Sequence, residues 1–262
     1  MPTGDEALLF DNLLRRTLQV MGVSVMRHEA DAMHIRTSAS SLLLAAFLVT
    51  SGCEHSIDCE LPNSPDDASY EAFRIPSNGM APTFSVNDHV LVDTTEYASR
   101  DPQKGELVFF RVARRGGEIH PTDERPDWQT EIFVKRLFGL PGDSIAWTNE
   151  GPVVNGVSVH SVPTNLNFQV YMGPEVTLRK AQTGDVQHEI LEEPGKPQPQ
   201  VAPLIVRPGR YFFVGDFRTS SHDSRIWGSV PRDDLIGPVV LRYYQGDEET
   251  GSPVCHDLRV AS

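Results

Sequence analysis

Residues 75–83 read Ile-Pro-Ser-Asn-Gly-Met-Ala-Pro-Thr, a polar turn held between two prolines. Proline fixes the backbone angle φ and lacks an amide donor, so neither a helix nor a regular strand can run through this stretch. Apolar residues alternate and then become continuous over residues 84–92, which predicts a strand. A polar turn that leads into a strand can carry a nucleophile or an oxyanion site, yet the residue at its centre is Gly79.

The composition around this stretch is that of an ordinary globular protein. The chain has 262 residues, of which 39% are hydrophobic and 23% are charged, enough for one sizeable domain with or without an inserted subdomain. Its 20 glycines and 20 prolines favour short strands and turns over long helices. A formal net charge of -13 argues against broad nucleic-acid binding, so no nucleic-acid partner is expected.

The N-terminal part of the chain has the features of an export signal. An amphipathic pattern covers residues 1–34, and an apolar run over residues 42–49 follows Arg36. That run is shorter than the roughly 20 residues of a bilayer span, and small residues follow it, as before a cleavage site. Either Met26 or Met33 is a possible start of such a signal. A short cytoplasmic helix is the alternative for the residues that precede it.

The three cysteines suggest a lipid anchor and a disulfide. Ser51 and Gly52 before Cys53 resemble a bacterial lipoprotein signal, in which the cysteine is acylated, although Thr50 departs from that pattern. Acylation of Cys53 would leave Cys59 and Cys255 as an even pair that can form a disulfide in an exported protein. Free thiols are the alternative.

No metal or cofactor is expected. The spacing of Cys53, His55 and Cys59 matches no strong zinc pattern.

A second patch places one lysine among apolar residues. Residues 131–138 predict a strand that holds Lys135 among apolar residues, and a Pro-Gly turn follows at residues 141–142. Burial disfavours an ammonium ion, so a buried Lys135 would have a lowered pKa and a neutral amine able to act as a base. An outward-pointing lysine is the alternative.

A third patch lies near the end of the chain. An apolar strand at residues 211–214 breaks at Gly215 into a loop rich in hydroxyl groups, with Asp223 and Arg225 close together. The loop is either a plain polar turn or the support of a site.

These three patches, in this order, resemble the three motifs of the bacterial type I signal peptidases. The nucleophile motif P-S-x-S-M-x-P-T is matched by residues 76–83 except at Gly79, where the family has serine. The lysine motif K-R-x-x-G-x-P-G-D is matched by residues 135–143. The later motif G-D-N-R-x-x-S-x-D-S-R-x-W-G-x-V-P is matched by residues 215–231 except at Phe217.

The resemblance implies a mostly β fold: an antiparallel β core interrupted by a smaller β-rich cap. It divides the chain into an N-terminal extension with an export signal or short membrane anchor (residues 1–52), a linker (53–72) and a signal-peptidase-like domain (73–262). Within that domain, the core is expected at residues 73–146 and 206–262, and the cap at residues 147–205.

The resemblance also implies a serine endopeptidase with a Ser/Lys dyad. Lys135 matches the general base, and Ser221 matches the hydroxyl that orients it. Ser77 and the backbone amide of Gly79 match the oxyanion hole. Gly79 itself stands at the nucleophile position, where its lack of a side chain would lower turnover on the order of a millionfold.

Asp223, Arg225 and Arg136 match the ion pairs that support this site in the family. The implied substrates are exported preproteins with small-x-small patterns, cleaved by a membrane-anchored protein whose main domain lies outside the cytoplasm.

Two hypotheses therefore follow from the sequence. The chain is a signal peptidase homologue whose own activity is very low or absent, or it is a non-catalytic protein that binds extended peptides in the retained cleft.

Overall fold

The computed structural model describes residues 68–169, 174–246 and 251–259, together with the backbone of two strands that precede them. The strands are β1 (Val23–His28), β2 (Ala32–Thr37), β3 (Ser69–Arg74), β4 (His89–Asp93), β5 (Leu107–Arg115), β6 (Glu118–His120), β7 (Gln129–Gly139), β8 (Ser144–Thr148), β9 (Gly151–Val154), β10 (Val157–Ser158), β11 (Val162–Gln169), β12 (Glu175–Thr183), β13 (Val186–Glu192), β14 (Val201–Ile205), β15 (Arg210–Val214), β16 (Val230–Pro231), β17 (Leu235–Gln245) and β18 (Ser252–Asp257). The helical segments are α1 (Glu96–Ser99), α2 (Ser224–Trp227) and two 3-10 turns, Thr122–Glu124 and Arg232–Asp234.

The fold is mostly β and antiparallel, which confirms the predicted fold class. The largest sheet has the order β1-β2-β3-β4-β17-β5-β7-β15-β16, with β6 added to β5 and β18 added to β17. Its central strands β5, β7 and β15 carry continuous apolar runs because both of their faces are covered. Phe110 and Phe213 stack across these strands with ring centroids 4.4 Å apart, and both are fully buried.

Two smaller sheets complete the described part of the chain. One has the order β10-β9-β8-β14 and the other the order β11-β12-β13. Along the chain, the first strand of the four-stranded sheet is β8, which starts at Ser144, before the predicted cap boundary at residue 147. The last is β14, which pairs with β8 at one edge of this sheet. The buried face of this sheet includes Ile145 and Trp147, which pack with Phe138 and Phe212 of the large sheet. This apolar contact ties the smaller sheet to the core.

The N-terminal region differs in part from the prediction. The first four residues of β3 fall within the predicted linker, and this strand pairs with β4. The backbones of β1 and β2 form an antiparallel pair joined to β3, rather than part of a helix. Alternating valines in β1 are typical of a strand.

The predicted export signal at residues 42–52, Cys53 and Cys59 lie outside the described residues. Within those residues, no helix combines the length and apolar character needed to cross a membrane.

Candidate active site

The lysine of the second patch lies inside the protein. On β7 every residue from Val134 to Gly139 is buried, so alternate side chains are covered on both faces of the strand. Lys135 is 6% exposed, and its Nζ atom lies 5.7 Å from the centre of the Phe133 ring. The structure therefore does not place Lys135 on the outside of the sheet.

Burial lowers the pKa of Lys135 below the usual lysine value of 10.5. The carboxylates of Asp223 and Asp216 oppose this effect, whereas the guanidinium of Arg225 adds to it. Within the described residues, the Lys135 amine has neither a hydrogen-bond partner nor a salt-bridge partner. It is thus a desolvated amine that is available to accept a proton.

Gly79 lies directly against this amine. A Cβ atom built on Gly79 would be 3.1 Å from Lys135 Nζ and 4.0 Å from the hydroxyl oxygens of Ser221 and Ser77. The backbone of Gly79 is not in the left-handed region, so an L-amino acid fits its conformation. The neighbour at 3.1 Å is the flexible end of a side chain, which can move by a few tenths of an ångström to admit a side chain here.

The turn also carries two donors that are unpaired within the described residues. Ser77 is exposed, and its hydroxyl makes no hydrogen bond within the described residues. The amide of Gly79 likewise makes no hydrogen bond there. Turn hydrogen bonds from Ala81 to Asn78 and from Phe84 to Met80 hold the backbone that carries both groups. Two free donors on one tight turn can stabilise an oxyanion.

The loop after β15 brings Ser221 near Gly79, with its hydroxyl oxygen 4.0 Å from the Cβ position of that residue. Ser221 is 6% exposed, and within the part of the chain that the structure describes its hydroxyl meets no hydrogen-bond partner at normal geometry, although it lies close enough to Asp223 to help lower the pKa of that carboxyl. Gly215 permits this approach, because a Cβ on Gly215 would lie 2.0 Å from Ser221 Oγ and 2.5 Å from the Gly79 carbonyl oxygen. Glycine is therefore required at position 215 on steric grounds, unlike at position 79.

A buried ion pair holds the loop that carries Ser221. Asp223 caps α2 and accepts hydrogen bonds from Arg225 Nε and Nη2, each at 2.8 Å, and from the Gly215 amide at 2.9 Å. Burial alone would raise the pKa of Asp223, but the Arg225 guanidinium outweighs it and holds that pKa below the usual value. Both side chains are fully buried. The two residues that the sequence singled out are thus in direct contact.

Arg136 belongs to a second buried pair, with Asp216. Its Nε and Nη2 atoms donate to the Asp216 carboxylate at 2.9 and 2.6 Å, and its Nη1 atom donates to the Gly105 carbonyl at 2.7 Å. The Thr83 hydroxyl also donates to Asp216. This network connects the turn at Gly79, strand β7 and the loop after β15. The sequence marked Thr83 and Asp216 only as motif positions and gave them no role.

A comparison with known protein families agrees with these three motifs. The family model described as "Signal peptidase, peptidase S26" matches residues 67–244, which is more than half of the chain. The chain belongs to the signal peptidase family.

Several curated signal peptidases are similar to the chain over the same region. "Signal peptidase I" of Pseudomonas fluorescens is 32% identical over 188 residues, covering 64% of this chain and 60% of that protein. "Signal peptidase I" of Pseudomonas aeruginosa is 31% identical over 200 residues, covering 67% and 62%. "Probable signal peptidase I-2" of Synechocystis is 29% identical over 178 residues, covering 66% and 63%. The match thus spans 60–63% of the length of these three relatives.

A solved signal peptidase I from Enterococcus faecalis is 20% identical and covers 53% of this chain and 97% of that chain. The TM-score of 0.32 is too low for this superposition to add to the family assignment.

Phe217, the second departure from the signal peptidase motifs, is buried rather than part of a polar network. It is 1% exposed and packs with Val176, Leu178 and Leu191 of β12 and β13, and Ala81 of the turn at Gly79 adds to this cluster. Its amide donates to the Gly79 carbonyl at 3.3 Å. Phe217 therefore connects the three-stranded sheet to the turn at Gly79.

His188 on β13 is a neighbour of the site that the motifs did not indicate. Its ring lies 3.0 Å from the Thr183 hydroxyl and 3.7 Å from Asp216. Burial, helped by the charges of Arg136 and Arg218, lowers the pKa of His188 to about 4. No signal in the sequence identifies this histidine, since it comes from a different sheet about 50 residues along the chain from Arg136.

The third cysteine is consistent with the predicted cross-link but does not fix its partner. Cys255 on β18 is disulfide-bonded. The other two cysteines of the chain, Cys53 and Cys59, lie outside the described residues. The pairing of Cys59 with Cys255 and the acylation of Cys53 therefore stay predictions.

Proposed function

We propose that this chain is a signal peptidase I-like protein that binds exported preproteins at small-x-small sites and cleaves them at a severely reduced rate. The observation that carries this proposal is the position of the buried Lys135 amine, 3.1 Å from the point where a residue 79 side chain begins. In this family, the base and the nucleophile must be within hydrogen-bond reach of each other. Here the base meets that condition and the nucleophile is missing.

The proposed roles combine the motif positions with the geometry around Gly79. The substrate lies extended along the cleft, with its scissile carbonyl at the turn that carries Ser77 and Gly79. The Ser77 hydroxyl and the Gly79 amide donate hydrogen bonds to the developing oxyanion. Lys135 accepts the proton of the attacking group, and Ser221 orients the lysine. Asp223, Arg225, Arg136 and Asp216 hold these elements in register.

The reduced rate follows from the chemistry of position 79. Glycine supplies no hydroxyl, and removal of the serine nucleophile from a serine hydrolase lowers turnover on the order of a millionfold. Ser77 is a poor substitute, because its exposed side chain belongs to the oxyanion side of the turn, two positions away.

We also propose that the main domain lies outside the cytoplasm in a bacterial cell envelope, anchored by a short transmembrane segment or by a lipid on Cys53. The disulfide at Cys255 supports this location, since disulfides persist in oxidising compartments and are rare in the cytosol. Protease added to spheroplasts should digest the domain. Full protection of the domain by an intact inner membrane would contradict the location.

The function is tested with a preprotein that carries an Ala-x-Ala cleavage site. The wild-type chain should cleave it slowly, and Lys135→Ala should abolish the cleavage without lowering the melting temperature greatly. If the wild-type chain binds the peptide but never cleaves it, the non-catalytic binding hypothesis replaces the endopeptidase one. If it neither binds nor cleaves, both are overturned.

A further inference from the structure

Three polar groups surround the volume that a side chain on residue 79 would fill. The Cβ position of Gly79 is 3.1 Å from Lys135 Nζ and 4.0 Å from the hydroxyl oxygens of Ser221 and Ser77, so a side chain on residue 79 would leave Cα toward these three groups. A water oxygen cannot occupy the Cβ point itself, because that point is one bond length from Gly79 Cα. A water that keeps about 3.3 Å from Cα on the same side lies farther out, between the amine and the two hydroxyls, where it can make hydrogen bonds to them.

All three groups are available for such an oxygen atom. Within the described residues, neither Lys135 nor Ser77 has a hydrogen-bond partner, and the Ser221 hydroxyl meets none at normal hydrogen-bond geometry, although it lies near the Asp223 carboxylate. Lys135 and Ser221 are each 6% exposed, and the Ser221 hydroxyl oxygen is closed off from solvent. Unpaired buried polar groups are uncommon in proteins, and an ordered water typically needs two to four polar partners.

We propose that a water molecule takes the place of the missing serine hydroxyl and is itself the nucleophile, so that the chain hydrolyses its substrate in one addition–elimination without an acyl-enzyme. This inference rests on the proposed function, because it needs the same substrate, base and oxyanion donors. It adds a different nucleophile and a different intermediate.

The groups in the site accept and return every proton that this hydrolysis moves. Lys135, as a neutral amine, accepts a proton from the water while the water oxygen bonds to the carbonyl carbon of the substrate. The carbonyl electrons move to its oxygen, which accepts hydrogen bonds from the Ser77 hydroxyl and the Gly79 amide. The bond from carbon to nitrogen then breaks, its electron pair stays on the nitrogen, and the Lys135 ammonium returns the proton to that leaving amine. The products are a free carboxyl terminus and a free amine.

Glycine and alanine at position 79 should then differ, although neither has a nucleophile. A Cβ at this position comes within 3.1 Å of Lys135 Nζ and fills the volume that the water needs. If loss of the hydroxyl were the whole effect, Gly79→Ala would cleave as slowly as the wild type. Under direct attack by water, the wild type should cleave at least about tenfold faster than Gly79→Ala, which corresponds to one decade of rate.

The experiment compares the wild type with Gly79→Ala and Gly79→Ser on the same Ala-x-Ala preprotein. Gly79→Ser adds the same Cβ as alanine, so it is the matched control for folding and for peptide binding. The expected order of rates is Gly79→Ser, then wild type, then Gly79→Ala. Equal rates for the wild type and Gly79→Ala, with an active Gly79→Ser, would overturn the water mechanism and leave the proposed function intact. An inactive Gly79→Ser that folds but binds no peptide would overturn the proposed function itself.

A second measurement does not depend on the alanine variant. A peptide p-nitrophenyl ester acylates a serine enzyme quickly, so the acyl-enzyme should appear in the intact mass of Gly79→Ser. The wild type should hydrolyse the ester with no added mass. An acyl group found on the wild type, on Ser77 or any other residue, would contradict direct attack by water.

Discussion

Two glycines in the site, Gly215 and Gly79, differ in whether the surrounding structure requires them. At Gly215, any Cβ would collide with Ser221 Oγ at 2.0 Å, so the close approach of two loops requires glycine. At Gly79, the backbone conformation suits any L-amino acid, and the nearest neighbour of a new Cβ is the mobile end of Lys135. Nothing in the fold therefore requires glycine at position 79.

Lys135 should give the Gly79→Ser variant a pH profile set by its lowered pKa. Burial first, and Arg225 second, favour the neutral amine, while Asp223 and Asp216 favour the ammonium. The base is active only when neutral, so cleavage should rise with pH and fall about tenfold for each pH unit below the midpoint.

The profile is measured as kcat/KM from pH 5 upward, within the range where the variant stays folded. We expect a midpoint below 10.5, the usual lysine value. A flat profile, or a midpoint at or above that value, would contradict the role of Lys135. Adding Lys135→Ala to Gly79→Ser is the control and should remove cleavage at every pH.

His188 should make the folded state sensitive to mild acid. Its pKa is about 4 in the folded protein and 6.5 in the unfolded chain, mainly because burial disfavours the imidazolium, and Arg136 and Arg218 add to this effect. The unfolded chain therefore binds the extra proton first, and stability is lost as the pH falls from 6.5 toward 4. The expected loss is about 2–3 kcal/mol.

Urea unfolding at several pH values measures this loss. His188→Gln should flatten the dependence of the free energy of unfolding on pH across this window. The exposed His160 provides the matched control, and His160→Gln should leave the curve as it is. An unchanged curve in His188→Gln would show that other groups cause the acid sensitivity.

At the scale of elements, the three-stranded sheet of β11, β12 and β13 is joined to the site by an apolar contact. Phe217 lies between Leu191 and the turn at Gly79, and the backbone amide of Arg218 donates to the Leu191 carbonyl at 2.9 Å. A residue that departs from the family motif thus has a structural role that a polar side chain would not fill.

Phe217→Asn should therefore destabilise the protein, although it restores the residue of the family motif. The change removes an aromatic ring from a buried cluster and leaves an amide there in its place. We expect a loss of about 3–5 kcal/mol in the free energy of unfolding. Ile226→Asn, at a position that is 55% exposed, should cost less than about 1 kcal/mol. Similar losses for both variants in denaturant titrations would contradict the role given to Phe217.

The elements that form the site can be predicted from the sequence, but the contacts between them cannot. Local patterns predicted the strand around Lys135 and the loop with Asp223 and Arg225, because an apolar run and a cluster of hydroxyl and charged residues are local properties of the sequence. The resemblance brought Gly79, Lys135 and Ser221 together. The pairing of Arg136 with Asp216 joins residues 80 positions apart, and the bond from Thr83 to Asp216 spans 133 positions. Such contacts depend on the register and packing of distant strands, which no local pattern encodes.

For the whole molecule, the disulfide is the feature that connects the last strand to a part of the chain outside the described residues. Cys255 lies on β18, which pairs with β17 at the edge of the large sheet. A cross-link from Cys255 to a cysteine near the start of the chain closes a long loop. It restricts the unfolded chain and so stabilises the folded state.

Replacing the cysteines one at a time tests the pairing. Cys255→Ser should lower the free energy of unfolding by about 2–4 kcal/mol. If Cys59 is the partner, Cys59→Ser should produce the same loss, and Cys53→Ser should not. Thiol alkylation followed by mass spectrometry checks the result independently. A loss in Cys53→Ser that matches Cys255→Ser would reassign the disulfide to Cys53 and exclude lipid at that position.

The central claim is that this signal peptidase site is complete except for its nucleophile. The most direct measurement is the rate at which Gly79→Ser cleaves an Ala-x-Ala preprotein, compared with the wild type under the same conditions. We predict an increase on the order of 10⁴- to 10⁶-fold, since the new hydroxyl would lie beside the buried Lys135 amine and the proposed oxyanion donors, the Ser77 hydroxyl and the backbone amide of residue 79. A folded Gly79→Ser variant that binds the peptide and cleaves it no faster than the wild type would contradict the claim.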